Sequence, residues 1–283
     1  MVKIIADSTC DLSPELIERY QIRILPLFVR LDEKEYLDGV DITPDELFSW
    51  SDENKKTPST AAPSPENVLE AYEEELKNAD ELVVFTISSG MSSSYTNCCL
   101  AAGRCSAPEK VTVIDSANLS TGIGLLVIQA AVMAREGAGA DAIREEIEKL
   151  RPLVRASFVV DTLVFLHRGG RCSGTAMLIG SVLQLHPRIA VSDGAMSPGK
   201  KYRGSMKHFV MNYVKDMESE LKTARKERVF ITHSGCPDQI VTDVKQYLES
   251  LGVFEEILVT RAGSVISSHC GPGTLGVLFI AGN

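Results

Sequence analysis

Three hydroxyl–proline pairs, Ser13-Pro14, Thr43-Pro44 and Ser64-Pro65, constrain this chain most. In each, a side chain able to accept the first free N–H groups of a helix precedes a proline whose fixed φ suits the first helical turn. Thr43 followed by Glu46 also fits a capping box. Around these helix starts run short apolar segments rich in β-branched residues: Val2 to Ala6, Leu82 to Ile87, Val111 to Ile114 and Ala156 to Val160. Apolar runs of this length, flanked by polar residues or turn signals, predict strands of a parallel sheet buried on both faces. Strands alternating with well-started helices predict an α/β fold.

The most apolar long stretch, residues 123 to 134, is interrupted by Gln129. It falls short of the roughly 18 residues a membrane span needs and reads as a buried helix, so no transmembrane segment is expected. Ala142 to Leu150 has helical spacing, and a new series follows: Arg228 to Thr232 as a strand, Pro237 to Leu251 as a helix, Phe254 to Val259 as a strand. At 283 residues the chain exceeds the usual single core. We therefore expect a two-lobed α/β protein, with an N-terminal, mostly parallel-sheet domain over residues 1–155 and a second α/β domain over residues 156–283.

Hydrophobic residues make up 44% and charged ones 24%, as in ordinary globular chains. The formal charge of −9, with no Lys/Arg run beyond short pairs, argues against a nucleic-acid surface, because phosphates demand clustered cations. The N-terminus reaches Asp7 without a long apolar region, which argues against a secretory signal and makes the cytoplasm the expected location. Seven cysteines with no C-x-x-C pair suggest neither a disulfide framework nor a zinc site, and no metal is expected; the adjacent Cys98 and Cys99 read as packing residues.

Ligands of open α/β sheets gather beyond the carboxyl ends of strands. Three unusual loops fall there: Asp7-Ser8-Thr9-Cys10-Asp11, the serine loop Ser88 to Ser94, and Asp115-Ser116 with Gly122 and Gly124 beyond. Each alone is explained by helix capping. Five serines around one glycine exceed what capping uses, and the surplus donors suit an oxyanion. Gly90-Met91-Ser92 also begins like the G-x-S-x-G elbow, although the second glycine is missing. An α/β hydrolase with Ser92 as nucleophile is therefore one alternative, its base His233 or His269 and its orienting carboxylate Asp161 or Asp193.

Gly271 to Gly276 is formally G-x-G-x-x-G after a strand-like Ser264 to Ser267, but no room remains for a dinucleotide fold. It reads as a tight turn where backbone approaches something closely. His167 to Arg171 sets two arginines around a glycine pair and keeps a phosphate- or sugar-binding module open as another alternative. Lys200, Lys201 and Arg203 form the densest basic patch, either a solvated loop or a docking point for an acidic partner or phosphate. Apolar helix faces such as Ile123, Val127 and Ala131, or Leu178, Val182 and Leu185, read as core before tunnel lining.

In their order along the chain, these stretches resemble the DegV family: Asp7 to Ser13, Asp38 to Pro44, Thr60 to Pro65, Ser88 to Tyr95, Val113 to Ser116 with Ser120, Gly122 and Gly124, Arg168 to Arg171, Arg203-Gly204, His233 to Gly235 and His269 to Gly273. The resemblance implies a lipid-binding carrier, not an enzyme, with two α/β lobes and one long-chain fatty acid as ligand in a tunnel between or beside them. It implies no other cofactor, and a separate fatty acid kinase as partner, to which the carboxylate is presented for acyl-phosphate formation. Carried over by motif, Thr60 and Ser92 would bond the carboxylate, the Ser93 N–H would lie nearby, and His269 would sit close to the headgroup. Arg171 and Arg203 would serve phosphoryl transfer or kinase docking. Two motifs depart: the family's T-S-Q-P-S-P reads Thr60-Ala61-Ala62-Pro63-Ser64-Pro65, and its S-G-T-Y reads Ser92-Ser93-Ser94-Tyr95, replacing a glycine free to adopt positive φ by Ser93.

Overall fold

A computed structural model describes residues 1–172 and 185–282. Leu178 and Val182 of the candidate tunnel lining lie outside the described residues.

The first sheet joins β1 (Val2–Asp7), β2 (Arg23–Leu25), β6 (Glu81–Thr86) and β7 (Val111–Asp115) in the order β2-β1-β6-β7, all parallel. Three of the four apolar runs lie here; those of β1 and β6 are largely buried, while edge strand β7 buries Ile114. The fourth does not. Ala156 to Val160 falls largely on β8 (Val154–Val159), which pairs antiparallel with both neighbours in the second sheet. It reads as a parallel strand because burial on both faces, whatever the strand direction, removes the polar alternation that would mark one face as solvated.

That second sheet adds β9 (His186–Ser192), β10 (Ala195–Tyr202), β11 (Ala224–Ser234), β12 (Glu256–Arg261) and β13 (Thr274–Ala281), in the order β10-β9-β8-β13-β11-β12. A small antiparallel sheet of β3 (Phe28–Leu31), β4 (Lys34–Leu37) and β5 (Ser59–Ala61), order β4-β3-β5, is inserted after β2. The chain is thus two-lobed and α/β, a parallel-sheet lobe followed by a second sheet lobe.

The hydroxyl–proline pairs start α1 (Pro14–Tyr20), α2 (Pro44–Asn54) and α3 (Pro65–Glu75). Ser13, Thr43 and Ser64 each accept a backbone N–H of the first turn, and the Thr43/Glu46 capping box is complete. The apolar stretch forms α5 (Thr121–Arg135), which packs against β1 and β6 of the first sheet and against β8, β11 and β13 of the second. One core consequently runs through both lobes, from Ile4 and Ala6 across Ile123 and Val127 to Phe158 and Leu278. Outer faces are covered by α3 with α4 (Ser94–Ala102) on the first sheet. On the second lie α8 (Met206–Asp216) and α10 (Asp238–Leu251). The remaining helices are α6 (Ala140–Leu150), α7 (Val164–Gly169), α9 (Glu218–Lys222) and α11 (Ser264–Cys270).

Residues Ser264 to Ser267 are helical, against the strand-like reading. Their first N–H groups are bound by carboxylates from the other lobe: Asp11 accepts from Gly263 at 2.8 Å and Asp38 from Ser264 at 2.7 Å. No local pattern contains that cap. The glycine run that follows is the expected close approach: Gly271 and Gly273 have φ of +76° and +72°, and a Cβ on Gly276 would lie 2.9 Å from the Ser157 carbonyl.

Gly124 marks where α5 meets the loop after β1, since a Cβ there would lie 2.8 Å from Leu12 Cδ2 and 3.1 Å from the Cys10 carbonyl. Gly124→Ala should destabilise the fold by about 1–3 kcal/mol through overpacking. Urea unfolding with a lower midpoint and unchanged m-value checks this; an unchanged midpoint would mean the loop can yield.

Candidate functional site

The serine loop divides into two groups. Ser88 donates its hydroxyl to the Gly194 carbonyl, Ser89 to Asp115 and Ser94 to the buried Asp7, so three of the five hydroxyls hold structure. Ser92 and Ser93 line a cavity instead. Ser92 Oγ accepts the Ser94 N–H at 3.2 Å, and its own hydrogen has no acceptor among the described residues. Ser93, in the family's glycine position, has φ −77° and ψ 3°, which serine adopts without strain, and makes no side-chain cap for α4.

The cavity has a volume of about 370 Å³, within the size range of small-ligand sites. Both sheets and the insert wall it: Leu27 near the small sheet, Ile87 after β6, Phe158 of β8, Leu278 of β13 and Val265 of α11. Thr60, Ser92, Ser93, His269 and Arg171 all line it, so the structure brings together every expected headgroup residue and one of the two arginines. Ile123, Val127 and Ala131 are core.

Thr60 arrives on β5 and His269 on α11. Their Oγ1 and Nε2 atoms lie 2.8 Å apart. The other ring nitrogen, Nδ1, is sealed from solvent without a partner among the described residues. Gly169 at the end of α7 is pressed against it: a Cβ there would lie 2.5 Å from Nδ1. Burial, reinforced by the positive charge of Arg171, holds the imidazole at about 4, below its ordinary 6.5. Arg171 itself is exposed and donates to the Gly169 carbonyl at 2.6 Å.

Arg203 is placed elsewhere. With Lys200, Lys201 and Lys215 it borders a separate cleft, in which Lys200 pairs with Asp216 at 2.5 Å.

A hydrolytic triad is not assembled. His269 Nε2 is taken by Thr60, and His233 uses Nδ1 to accept the Cys236 N–H. Asp161 stands 3.7 Å from His186 and Asp193 accepts from Ser192, so neither carboxylate is paired with a cavity histidine. The phosphate-grip reading loses one arm as well, because Arg168 donates to Thr57 at 3.0 Å.

Two functional features were met in the sequence only as members of the family motifs, with no role assigned. Ser120, at the start of α5, lines the cavity with φ +52° and ψ −145°, a strained backbone for serine. Its hydroxyl donates to Asp11 at 2.5 Å. Asp38, buried at the first turn of α11, was likewise visible only as part of a motif.

Comparison with known proteins decides the family. The model of the uncharacterised DegV family matches residues 1–282. The chain belongs to the DegV family. It is 32% identical to a DegV domain-containing protein of Caldanaerobacter subterraneus, covering 98% of both chains. A DegV family protein from Thermus thermophilus, described by its fatty acid binding, superposes with a TM-score of 0.91 at 33% identity over 99% of both chains. A stearic acid-binding protein from Eubacterium ventriosum superposes at 0.86 with 27% identity, over 99% of this chain and 98% of its own. Among the described residues no helix is long and apolar enough to cross a membrane.

The depressed imidazole has a consequence for stability. Between about pH 6.5 and about pH 4 the unfolded chain protonates its histidine while folded His269 stays neutral, so this residue's contribution is lost as pH falls through that window. Its NMR titration midpoint should lie near 4. His269→Gln should flatten the fall in stability over the same window, and a histidine titrating at its ordinary value would refute the buried environment.

Proposed function

We propose that this DegV protein is a carrier that binds one long-chain fatty acid, its carboxylate at Thr60, Ser92 and Ser93 and its tail in the apolar cavity. The observation that carries the reading is the division of the serine loop: Ser92, whose hydroxyl has no acceptor among the described residues, and Ser93 meet the Thr60–His269 pair in one cavity whose wall is completed largely by apolar side chains such as Leu27, Ile87, Phe158 and Leu278. The fatty acid and stearic acid ligands of the two related structures support the same class.

Nδ1 of His269 has no partner among the described residues, so the tautomer with its proton on Nε2 leaves a lone pair unpaired instead of an N–H. Nε2–H then donates to Thr60 Oγ1, and the threonine hydrogen is left for a ligand oxygen. Ser92 offers a second hydroxyl, and the start of α4, where the Ser93 side chain makes no cap and Ser92 Oγ takes the Ser94 N–H, offers the Ser93 backbone N–H to the same anion. Hydroxyls and amides satisfy a carboxylate by hydrogen bonding without neutralising it. Burying a tail of about sixteen carbons contributes on the order of 10 kcal/mol, so the tail sets affinity and the hydroxyls set orientation.

An un-neutralised carboxylate keeps its nucleophilicity, which suits presentation to a fatty acid kinase that forms an acyl phosphate. Chemistry then belongs to that partner in the cytoplasm. The cleft of Lys201, Arg203 and Lys215 suits docking of an acidic partner surface, while Arg171 at the cavity suits the incoming phosphoryl group.

Protein purified from cells should carry a long-chain fatty acid at near one-to-one occupancy by native mass spectrometry. Thr60→Val with Ser92→Ala should weaken retention about tenfold to a hundredfold, the cost of two lost hydrogen bonds. Unchanged retention would remove both from the headgroup role. Arg203→Ala should abolish kinase-dependent turnover and leave retention intact; loss of retention would move that arginine into the ligand site.

A further inference from the structure

Three carboxylates, Asp7, Asp11 and Asp38, are buried behind the cavity wall. Each accepts from a residue that lines the cavity: Asp7 from Ile87, Asp11 from Ser120 and Asp38 from the Val265 backbone. Asp7 accepts from the Ile87 N–H at 2.8 Å and from Ser94 at 2.9 Å, Asp11 from Ser120 and Gly263, Asp38 from Ser264 and from Ser8 at 2.8 Å. Asp11 and Asp38 converge on one point, since a Cβ on Gly263 would lie 3.3 Å from the first and 3.1 Å from the second.

The groups facing Asp11 are Asp7 and Cys10 on its own segment, Asp38 from the β4–α2 connection, Ser120 of α5, and Gly263 and Cys270 at α11. Both thiols are pushed upward, chiefly by burial, and stay neutral. Toward the cavity stand neutral His269 and His233, which burial pushes below its ordinary value, with exposed Arg171 the cation on the wall. All three carboxyls are pushed above the usual carboxylate range, first by burial; Asp38 and Asp7 raise Asp11 further, and Asp7 raises Asp38.

We propose that binding of an anionic headgroup is coupled to uptake of a proton by the Asp11–Asp38 pair, and that Ser120 is the cavity residue through which the coupling acts. This rests on the carboxylate-binding reading above. While Asp11 is ionised, the Ser120 hydroxyl donates to it and turns only lone pairs to the cavity. When Asp11 takes a proton from solvent, its new O–H donates to Ser120 Oγ, and the serine hydrogen is released toward the ligand. A ligand carboxylate raises the proton affinity of the pair, and by reciprocity a protonated pair binds the ligand more tightly. Affinity therefore falls as pH rises, by up to about tenfold per pH unit for one proton.

Calorimetric titration of the ligand-stripped protein with hexadecyl sulfonate and with palmitate, in two buffers of different ionisation enthalpy near about pH 7, counts the protons taken up per ligand. The sulfonate stays ionised, so uptake with it must be on the protein. The expected result is uptake of about half to one proton with both ligands, lost in Asp11→Asn while binding persists. Should Asp11→Asn fail to fold, Asp38→Asn reads the same coupling, with uptake reduced. Binding without proton uptake, uptake with palmitate alone, or uptake unchanged in both variants overturns the proposal. Failure of both ligands to bind falls on the carrier reading instead.

Discussion

The capping of α11 by Asp11 and Asp38 is the contact on which the rest of the molecule depends. A helix of seven residues is too short to persist by itself, and its N-cap, Gly263, has no side chain to accept the first N–H groups. The acceptors come instead from residues more than two hundred positions earlier, in the other lobe. Charge on those acceptors is favoured by the helix dipole, which partly offsets the burial that opposes it. His269 rides on this helix, so the bonds that dock one lobe on the other also set where the imidazole meets Thr60. Lobe docking and the geometry of the Thr60–His269 pair are one problem with one solution.

A second consequence is the division of labour among polar groups. Among the described residues the exposed Arg171 is the one cation lining the cavity, and buried acids lie behind the wall while neutral donors face the cavity. A site built this way suits holding an anion by directed dipoles, which specify geometry, and not by charge pairing, which would quench it. Ser88, Ser89 and Ser94 serve this indirectly: each bonds to a part of the scaffold, and the loop they fix turns Ser92 and Ser93 inward.

How much of this the sequence disclosed depends on the range of the interaction. Helix starts at Ser13, Thr43 and Ser64 were legible because cap and helix are adjacent, and β1, β6 and β7 because each is a short, β-branched apolar run between polar residues or turn signals. Strand direction at Ala156 and the helix at Ser264 were not legible, since pairing partner and cap lie far along the chain. β13, central in its sheet, was hidden by Gly276, a poor strand former placed there because the Ser157 carbonyl passes so close. In the serine loop composition showed a surplus of hydroxyls, but only the tertiary partners show which two remain. Ser120 was visible only as a member of a motif and not for its role, because strain and partner are both properties of the fold.

That strain is informative about the contact it serves. Ser120 and Asp11 both have positive φ, +52° and +50°, and they stand at the two ends of one hydrogen bond. A conformation of this kind costs on the order of 1–3 kcal/mol at each residue and persists only where the surroundings over-determine it. Here they do: Gly124 brings the first turn of α5 into contact with Leu12 and the Cys10 carbonyl, leaving the loop after β1 no freedom to relax. A hydroxyl needed only to cap a helix could sit in ordinary backbone, as Ser13 and Ser64 do. Holding Ser120 between a buried carboxyl and the cavity requires the strained one, because its backbone must turn into α5 while its side chain stays on the wall shared by both.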